Sequence, residues 1–304
     1  MRNKNVSGAC RPKKYIVSNV VFIIIGIIMA VYIVSLVIPI LWAIMASFKD
    51  TYDFSQSPFS FPDTIEWGNY SYAFSQLQVE VWIYSTQKLV SYNYFNMFLY
   101  SMIYSVGTTV MGLFMNYITA YPVAKYKFFG RKFLYNFAIM MMIIPVVGNL
   151  SASLYVRRVL HIYDNLWLHI ITASGGFGFN FVLLYGAIKR LSWSYAESAF
   201  LDGAGHFTVM FRIYLPLIMP LMLGLFMLGF IGSWNDYSTI LTYLPSTPNL
   251  AYGVFTFDQF AVAKRHTTPQ ILAAFILLAI PTVILWSITQ RFVMSSMVVG
   301  GLKE

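Results

Sequence analysis

The sequence predicts an all-α polytopic membrane protein with six transmembrane helices, and three observations carry that expectation. Of 304 residues, 58% are hydrophobic and only 10% charged, and the mean hydropathy is +0.65. A soluble domain carries about 25% charged residues, so this composition cannot cover a water-facing surface. The bilayer must be the solvent for most of the chain. Secondly, cutting the sequence at its charges leaves six long uncharged stretches, at 15–48, 89–124, 133–156, 165–188, 213–235 and 266–290. Each exceeds the roughly 20 residues that a helix needs to cross about 30 Å of hydrocarbon. Thirdly, with the N-terminus inside, 14 of the 20 Lys and Arg fall on internal segments. That is the positive-inside pattern, and an even number of spans then places both termini in the cytoplasm.

The elements follow in order. Arg2, Lys4, Arg11, Lys13 and Lys14 lie in a tail, about 1–19, ahead of the first apolar run. That run is too long for a signal-peptide core and has no small-x-small cleavage site, so an uncleaved first span is expected. An external segment at about 49–95 is rich in Ser, Tyr and Phe, with Pro58 and Pro62 marking turns. Its second half, 77–94, reads either as an interfacial helix or as a docking surface. Lys125, Lys127, Arg131 and Lys132 mark an internal turn, and 236–268, with Pro245, Pro248 and Gly253, an external loop. No repeat is visible, and 1–304 reads as one domain. The net charge of +9 is a topology signal, so a nucleic-acid partner is not expected. Cys10 stands alone, and His161, His169, His206 and His266 are scattered, so neither a disulfide nor a metal site is expected.

The internal segment 189–216 carries the strongest local pattern. Ser194 and Glu197 have capping-box spacing and predict a short helix. Tyr195, Ala199 and Leu201 are its apolar anchors, and Gly203 and Gly205 end it. The stretch 207–215 then leads to Pro216, which suits the start of a new helix. Small residues here let another protein approach closely.

Glu197, Ser198, Ala199, Gly203, Ile213, Leu215 and Pro216 match the EAA---G---------I-LP signature at every spacing, with Ser198 where the signature has alanine. The chain thereby resembles the permease subunits of ABC importers. Asp202-Gly203-Ala204 is similar to the carbohydrate-uptake branch. Asn96, Ala120-Tyr121, Trp234-Asn235-Asp236 and Gln290-Arg291-Phe292 look like the maltose-permease (MalG-like) family. The resemblance covers about 15–304. It implies a type I importer fold in the cell inner membrane and no enzymatic activity in this chain. ATP and Mg would sit on two separate ATP-binding subunits, in agreement with the absence of a GxxxxGK[ST] loop here. It further implies a second permease, with a heterodimer favoured, and an extracytoplasmic solute-binding protein. The segment 189–216 becomes a coupling helix. Glu197 would pair with a basic residue of the ATPase, Ala199 would be the close-contact position, and Gly203 would supply the bend.

The implied cargo is an oligosaccharide; a peptide, polyamine or phosphonate importer is the alternative within the class. An ion-driven carrier is disfavoured because no charge lies deep in a predicted span. Polar residues within spans, Asn116, Asn136, Asn149, Ser151, Ser153, Asn180 and Ser233, read either as a solute path or as interhelical hydrogen bonding. Trp42, Trp82, Trp167 and Trp286 suit interfacial belts or packing. In the 236–268 loop, Tyr237, Tyr243, Tyr252, Phe255 and Phe257 read either as binding-protein contacts or as a folded connector.

Overall fold

A run of apolar residues in lipid folds as a helix because each backbone N–H and C=O must find its partner inside the segment. In the computed structural model this holds for α1 (Lys13–Ser47), whose Val21–Ser47 portion has a mean hydropathy of 3.1 and presents its side chains outward along most of its length. The structure describes residues 13–83, 87–144, 148–172 and 175–299, the side chains of 13–20 and 291–299 excepted. Just past α1, Lys49 is fully buried. Its Nζ donates to Asp53 Oδ1 at 3.0 Å, Ser57 O at 2.8 Å and Ser60 Oγ at 2.8 Å. The charge is tolerated because three acceptors meet it. These bonds fold α2 (Thr51–Gln56) back on the end of the span. Asn69, in α3 (Gly68–Gln76), ties the next turn down by donating to Ser47 O and Lys49 O.

The described parts of the segment 77–94 are mostly strand. They form an antiparallel hairpin, β1 (Val79–Ile83) and β2 (Lys88–Tyr92), with Val79 opposite Tyr92 and Val81 opposite Val90. The all-α expectation and the interfacial-helix reading are corrected here. Val79, Val81 and Ile83 alternate with Glu80 and Trp82, a period of two that suits a strand with one face buried.

Helix α4 (Tyr94–Lys125) runs through the centre and packs against several of the later helices. The third and fourth uncharged stretches are each interrupted, as α5 (Arg131–Ile143) with α6 (Leu150–Val159), and α7 (Leu166–Thr172) with α8 (Phe179–Arg190). The sequence explains both breaks. Pro145 and Gly148 follow α5, and Gly148 takes φ +75°. Gly175, Gly176 and Gly178 precede α8, and Gly178 takes φ +137°. Among the described residues, four helices are therefore continuous and apolar enough to cross a bilayer.

Next come α9 (Ser194–Leu201), α10 (His206–Thr208) and a π-turn (Val209–Tyr214). The last two merge with α11 (Leu215–Trp234) into one 29-residue helix. The chain closes with α12 (Tyr237–Tyr243), α13 (Leu250–Gln259), α14 (Ala261–Lys264) and α15 (Thr268–Val299). One core, around Tyr117, Phe181, Ile188, Val209 and Tyr214, lies beneath α9. A second, around Met97, Trp234, Val254 and Phe257, lies beneath the hairpin and α13. Trp234 is fully buried and satisfies its indole N–H on Leu278 O at 2.9 Å.

Candidate functional site

The connection from α8 to α11 is held at its root by two donors. Lys125 Nζ donates to Leu191 O at 2.6 Å, and Tyr214 Oη donates to Ser192 O at 2.9 Å. The Lys125 ammonium also lies 4.8 Å from the Tyr214 ring centroid. The end of α4 and the π-turn thus clamp the chain where it leaves α8. Tyr126 Oη and His206 Nδ1, 2.8 Å apart, add a second tie, with the Phe200 and His206 rings 4.9 Å apart.

Trp193, not Ser194, occupies the N-cap of α9. Ser194 N donates to Ser192 Oγ at 3.2 Å, and Glu197 N donates to Trp193 O at 3.1 Å. The capping-box expectation is corrected by one residue: Ser194 is already helical, so its hydroxyl does not reach the Glu197 amide. The Glu197 carboxylate is exposed and has no hydrogen bond or ion pair among the described residues.

Helix α9 ends in a Schellman motif. Gly203 N donates to Phe200 O at 3.0 Å and Ala204 N to Ala199 O at 2.9 Å, with Gly203 at φ +80°. An L-residue in that left-handed conformation costs roughly 1–2 kcal/mol, which glycine avoids. The Ala199–Gly203 spacing is therefore the interval between the third-last helical position and the left-handed cap. Ala199 is only 8% exposed and packs against this chain's own core. The outward face includes Glu197, Ser198, Asp202 and two bare apolar side chains, Leu201 (89% exposed) and Phe207 (78%). Leu201 was expected to anchor the helix and does not. Ala204, Ile213 and Leu215 are half-buried, and Pro216 lies in the first turn of α11, just after the π-turn has loosened the hydrogen-bond ladder.

A cleft of about 380 Å³ opens among α4, α6, α7, α8, α11 and α12. Asn180 and Ser233 line it, and Thr108 Oγ1 hydrogen-bonds Ser233 Oγ at 3.2 Å. Gly229 lets α11 approach α4 here: a Cβ on it would stand 2.8 Å from Thr109 Cγ2. The other path candidates are not in this lining. Asn116 is buried but spends its amide on Gly112 O and Gly175 O. Asn149 and Ser151 are exposed at the start of α6.

The cleft also holds groups that sequence reasoning did not assign to a path: Tyr104, Arg157, His169 and Tyr243. Arg157 directly follows the uncharged stretch 133–156, and His169 is one of four scattered histidines. The two meet at 2.9 Å, and the Arg157 guanidinium lies 4.5 Å from the Tyr243 ring centroid. Their positions, 12 and 86 residues from Arg157, follow from packing; the only sequence signal was an arginine pair closing an apolar stretch.

The loop 236–268 is largely folded into the structure. Asp236 caps α12 through Thr239 N at 2.9 Å and accepts from Tyr104 Oη at 3.0 Å. Tyr237 stacks on Phe255 at 4.3 Å, and Tyr252 lies 6.5 Å from Phe255. Phe257 is 4% exposed and stacks on His266 at 3.8 Å, so it is a core residue and not a surface contact. Tyr243, Tyr252 and Phe255 remain half-buried. Burial raises the pKa of the Tyr252 hydroxyl above its ordinary value.

Comparison with known proteins gives one consistent picture. Residues 109–297 match the family described as binding-protein-dependent transport system inner membrane component. The diacetylchitobiose uptake system permease NgcG of Streptomyces coelicolor is 24% identical over 283 residues, covering 89% of this chain and 85% of that protein. The galactooligosaccharides transport permease GanQ of Bacillus subtilis is 29% identical over 217 residues, covering 70% and 76%. The maltodextrin transport permease MalD of Streptococcus pneumoniae is 30% identical over 189 residues, covering 61% and 67%. Among solved structures, a bacterial ABC transporter that imports alginate superposes with a TM-score of 0.69 at 19% identity, over 95% of this chain and 99% of that one.

Proposed function

The chain belongs to the binding-protein-dependent transport inner membrane components and is a permease subunit of such an importer, and on that premise we propose that it forms half of the path for an oligosaccharide. The cargo reading is supported by the names of its relatives, which are oligosaccharide permeases. In this reading α5–α6 and α7–α8 complete six spans as paired shorter helices. The α9 loop and both termini face the cytoplasm, and 49–95 and 236–268 face outward. A second, different permease completes the path. Two ATP-binding subunits hold ATP and Mg, and an extracytoplasmic binding protein delivers the solute. A neighbouring alginate transporter has been captured with its solute-bound periplasmic protein, which supports the last partner.

One observation carries the coupling assignment: a rigidly capped helix whose outer face shows an unpaired carboxylate beside bare Leu201 and Phe207. Such a face fits an apolar cleft with a basic group at its rim. ATP-driven closure of the ATPase pair would move α9, and α9 would carry α4 and α11 with it through Lys125 and Tyr214. ATP must favour the closed state for this to shift the permease, since only differential affinity moves an equilibrium.

The test is purification of the tagged chain from its own membranes, with and without Glu197→Lys. Recovery of an ATP-binding subunit with the parent chain, and its loss with the variant, is the expected result. Equal recovery with both would remove Glu197 from the contact.

A further inference from the structure

We propose that Arg157 makes the cleft a binding site for a carboxylate, so that the oligosaccharide this permease passes is an acidic one bearing uronate-type groups. The proposal rests on the oligosaccharide reading above and narrows it.

Arg157 closes α6 and is half-buried, with its guanidinium in the lining of the cleft. Its sole side-chain hydrogen bond among the described residues runs from Nη1 to His169 Nδ1 at 2.9 Å. A guanidinium can only donate, so Nδ1 must be the bare nitrogen and His169 is the neutral partner. The histidine orients the arginine but does not neutralise it. The Tyr243 ring beneath, at 4.5 Å, fixes the plane of the fork. Arg157 forms no ion pair among the described residues. Asp236 shares the region but makes no ion pair with Arg157; its Oδ1 accepts from Thr239 N and its Oδ2 from Tyr104 Oη.

Most of the five donors of this half-buried cation are unused by the protein among the described residues, and they are free to meet a ligand that accepts from them. A planar carboxylate is the group that matches an arginine fork bidentately. The rest of the lining suits the remainder of a sugar. Thr108, Asn180, Ser233 and Thr239 offer hydroxyl and amide groups, and Thr109 Oγ1 is buried with no hydrogen-bond partner. Tyr104 and Tyr243 also line the cleft. Such a lining binds hydroxyls from any saccharide; Arg157 is what separates acidic from neutral ones.

The experiment uses the assembled importer in nanodiscs without its binding protein, so that selectivity belongs to the membrane subunits. Equilibrium binding is measured for a uronate trisaccharide and for the same trisaccharide with its carboxyls reduced to alcohols. The acidic probe is expected to bind about tenfold more tightly, as one charge-assisted bidentate contact implies, and to weaken with added salt. Arg157→Gln should erase the difference between the two probes. Arg157→Lys should retain part of it, since the charge survives and the fork does not. Size-exclusion profiles of the variants check assembly; a variant that fails to assemble is replaced by phenylglyoxal modification of Arg157 in the parent importer, from which only the acidic probe should protect. Equal binding of both probes, or an Arg157→Gln importer that still prefers the acid, overturns the proposal and leaves the oligosaccharide reading standing. If neither saccharide binds an importer that hydrolyses ATP, the oligosaccharide reading falls with it.

Discussion

Replacing Gly203 isolates the conformation of the α9 cap from every other property of the loop. A Cβ built on Gly203 has nothing within 4 Å, so a substitution there meets no clash. What remains is the backbone, held at φ +80°. An L-residue in the left-handed region costs roughly 1–2 kcal/mol, with asparagine at the low end and β-branched residues at the high end. That range corresponds to a factor of about 5–30 in the population of the bent loop. The importer is reconstituted in proteoliposomes, and ATP hydrolysis and solute uptake are followed together. Uptake per ATP should fall in the order Gly, Asn, Ala, Val, while insertion of the chain stays constant. Full coupling in Gly203→Val would refute the hinge. A Gly203→Asn variant as defective as Gly203→Val would show that the missing side chain matters for contact and that the left-handed backbone does not.

Three further outcomes are expected. Gly229→Ala should lower thermal stability by about 1–3 kcal/mol, because its Cβ would press on the stiff Thr109 side chain at 2.8 Å. Gly112→Ala, with open space around it, should not, and equal effects would mean that α4 and α11 are not closely packed. Asp53 is held below its ordinary value of 3.8, chiefly by the hydrogen bond from Lys49. A depressed carboxylate stabilises above its unfolded pKa and loses that contribution as pH falls through the folded one. Proteolysis of the 50–67 segment should therefore stay slow from pH 7 to about 4 and quicken only below, and Asp53→Asn should remove the dependence; opening between pH 7 and 5 would contradict the Lys49 node. Finally, in a chain lacking Cys10, a membrane-impermeant maleimide should label Ser60→Cys from outside the cell and Phe128→Cys only in inverted vesicles, and the reverse pattern would invert the topology.

Where periodicity and charge act locally, the sequence was legible. The uncharged runs behind α1, α4, α11 and α15 are long and each folds into one long helix, although the second run gives its first residues to β2. The signature spacing was legible because it is local geometry: Ala199 is the third-last helical residue and Gly203 the left-handed cap of one Schellman motif. Breaks inside an apolar run were harder, because Pro145 and the glycines at 175–178 carry no charge at which to cut. The hairpin was hidden by aromatics that suit a strand and an interfacial helix equally. Trp193 took the cap expected of Ser194 because Ser192 Oγ, two residues upstream, already bonds Ser194 N. The Arg157–His169–Tyr243 cluster was not legible, since only the stacking of α6, α7 and α12 brings those residues together.

The most direct test of the account is whether the outer face of α9 touches an ATP-binding subunit. Ser198, exposed beside Glu197, is replaced by cysteine in a chain lacking Cys10, and a short bifunctional crosslinker is applied to the assembled importer. The account predicts a covalent product with the ATP-binding subunit and arrested uptake. ATP-driven uptake by an importer in which residue 198 crosslinks to nothing and stays as open to maleimide as in the isolated chain would contradict it.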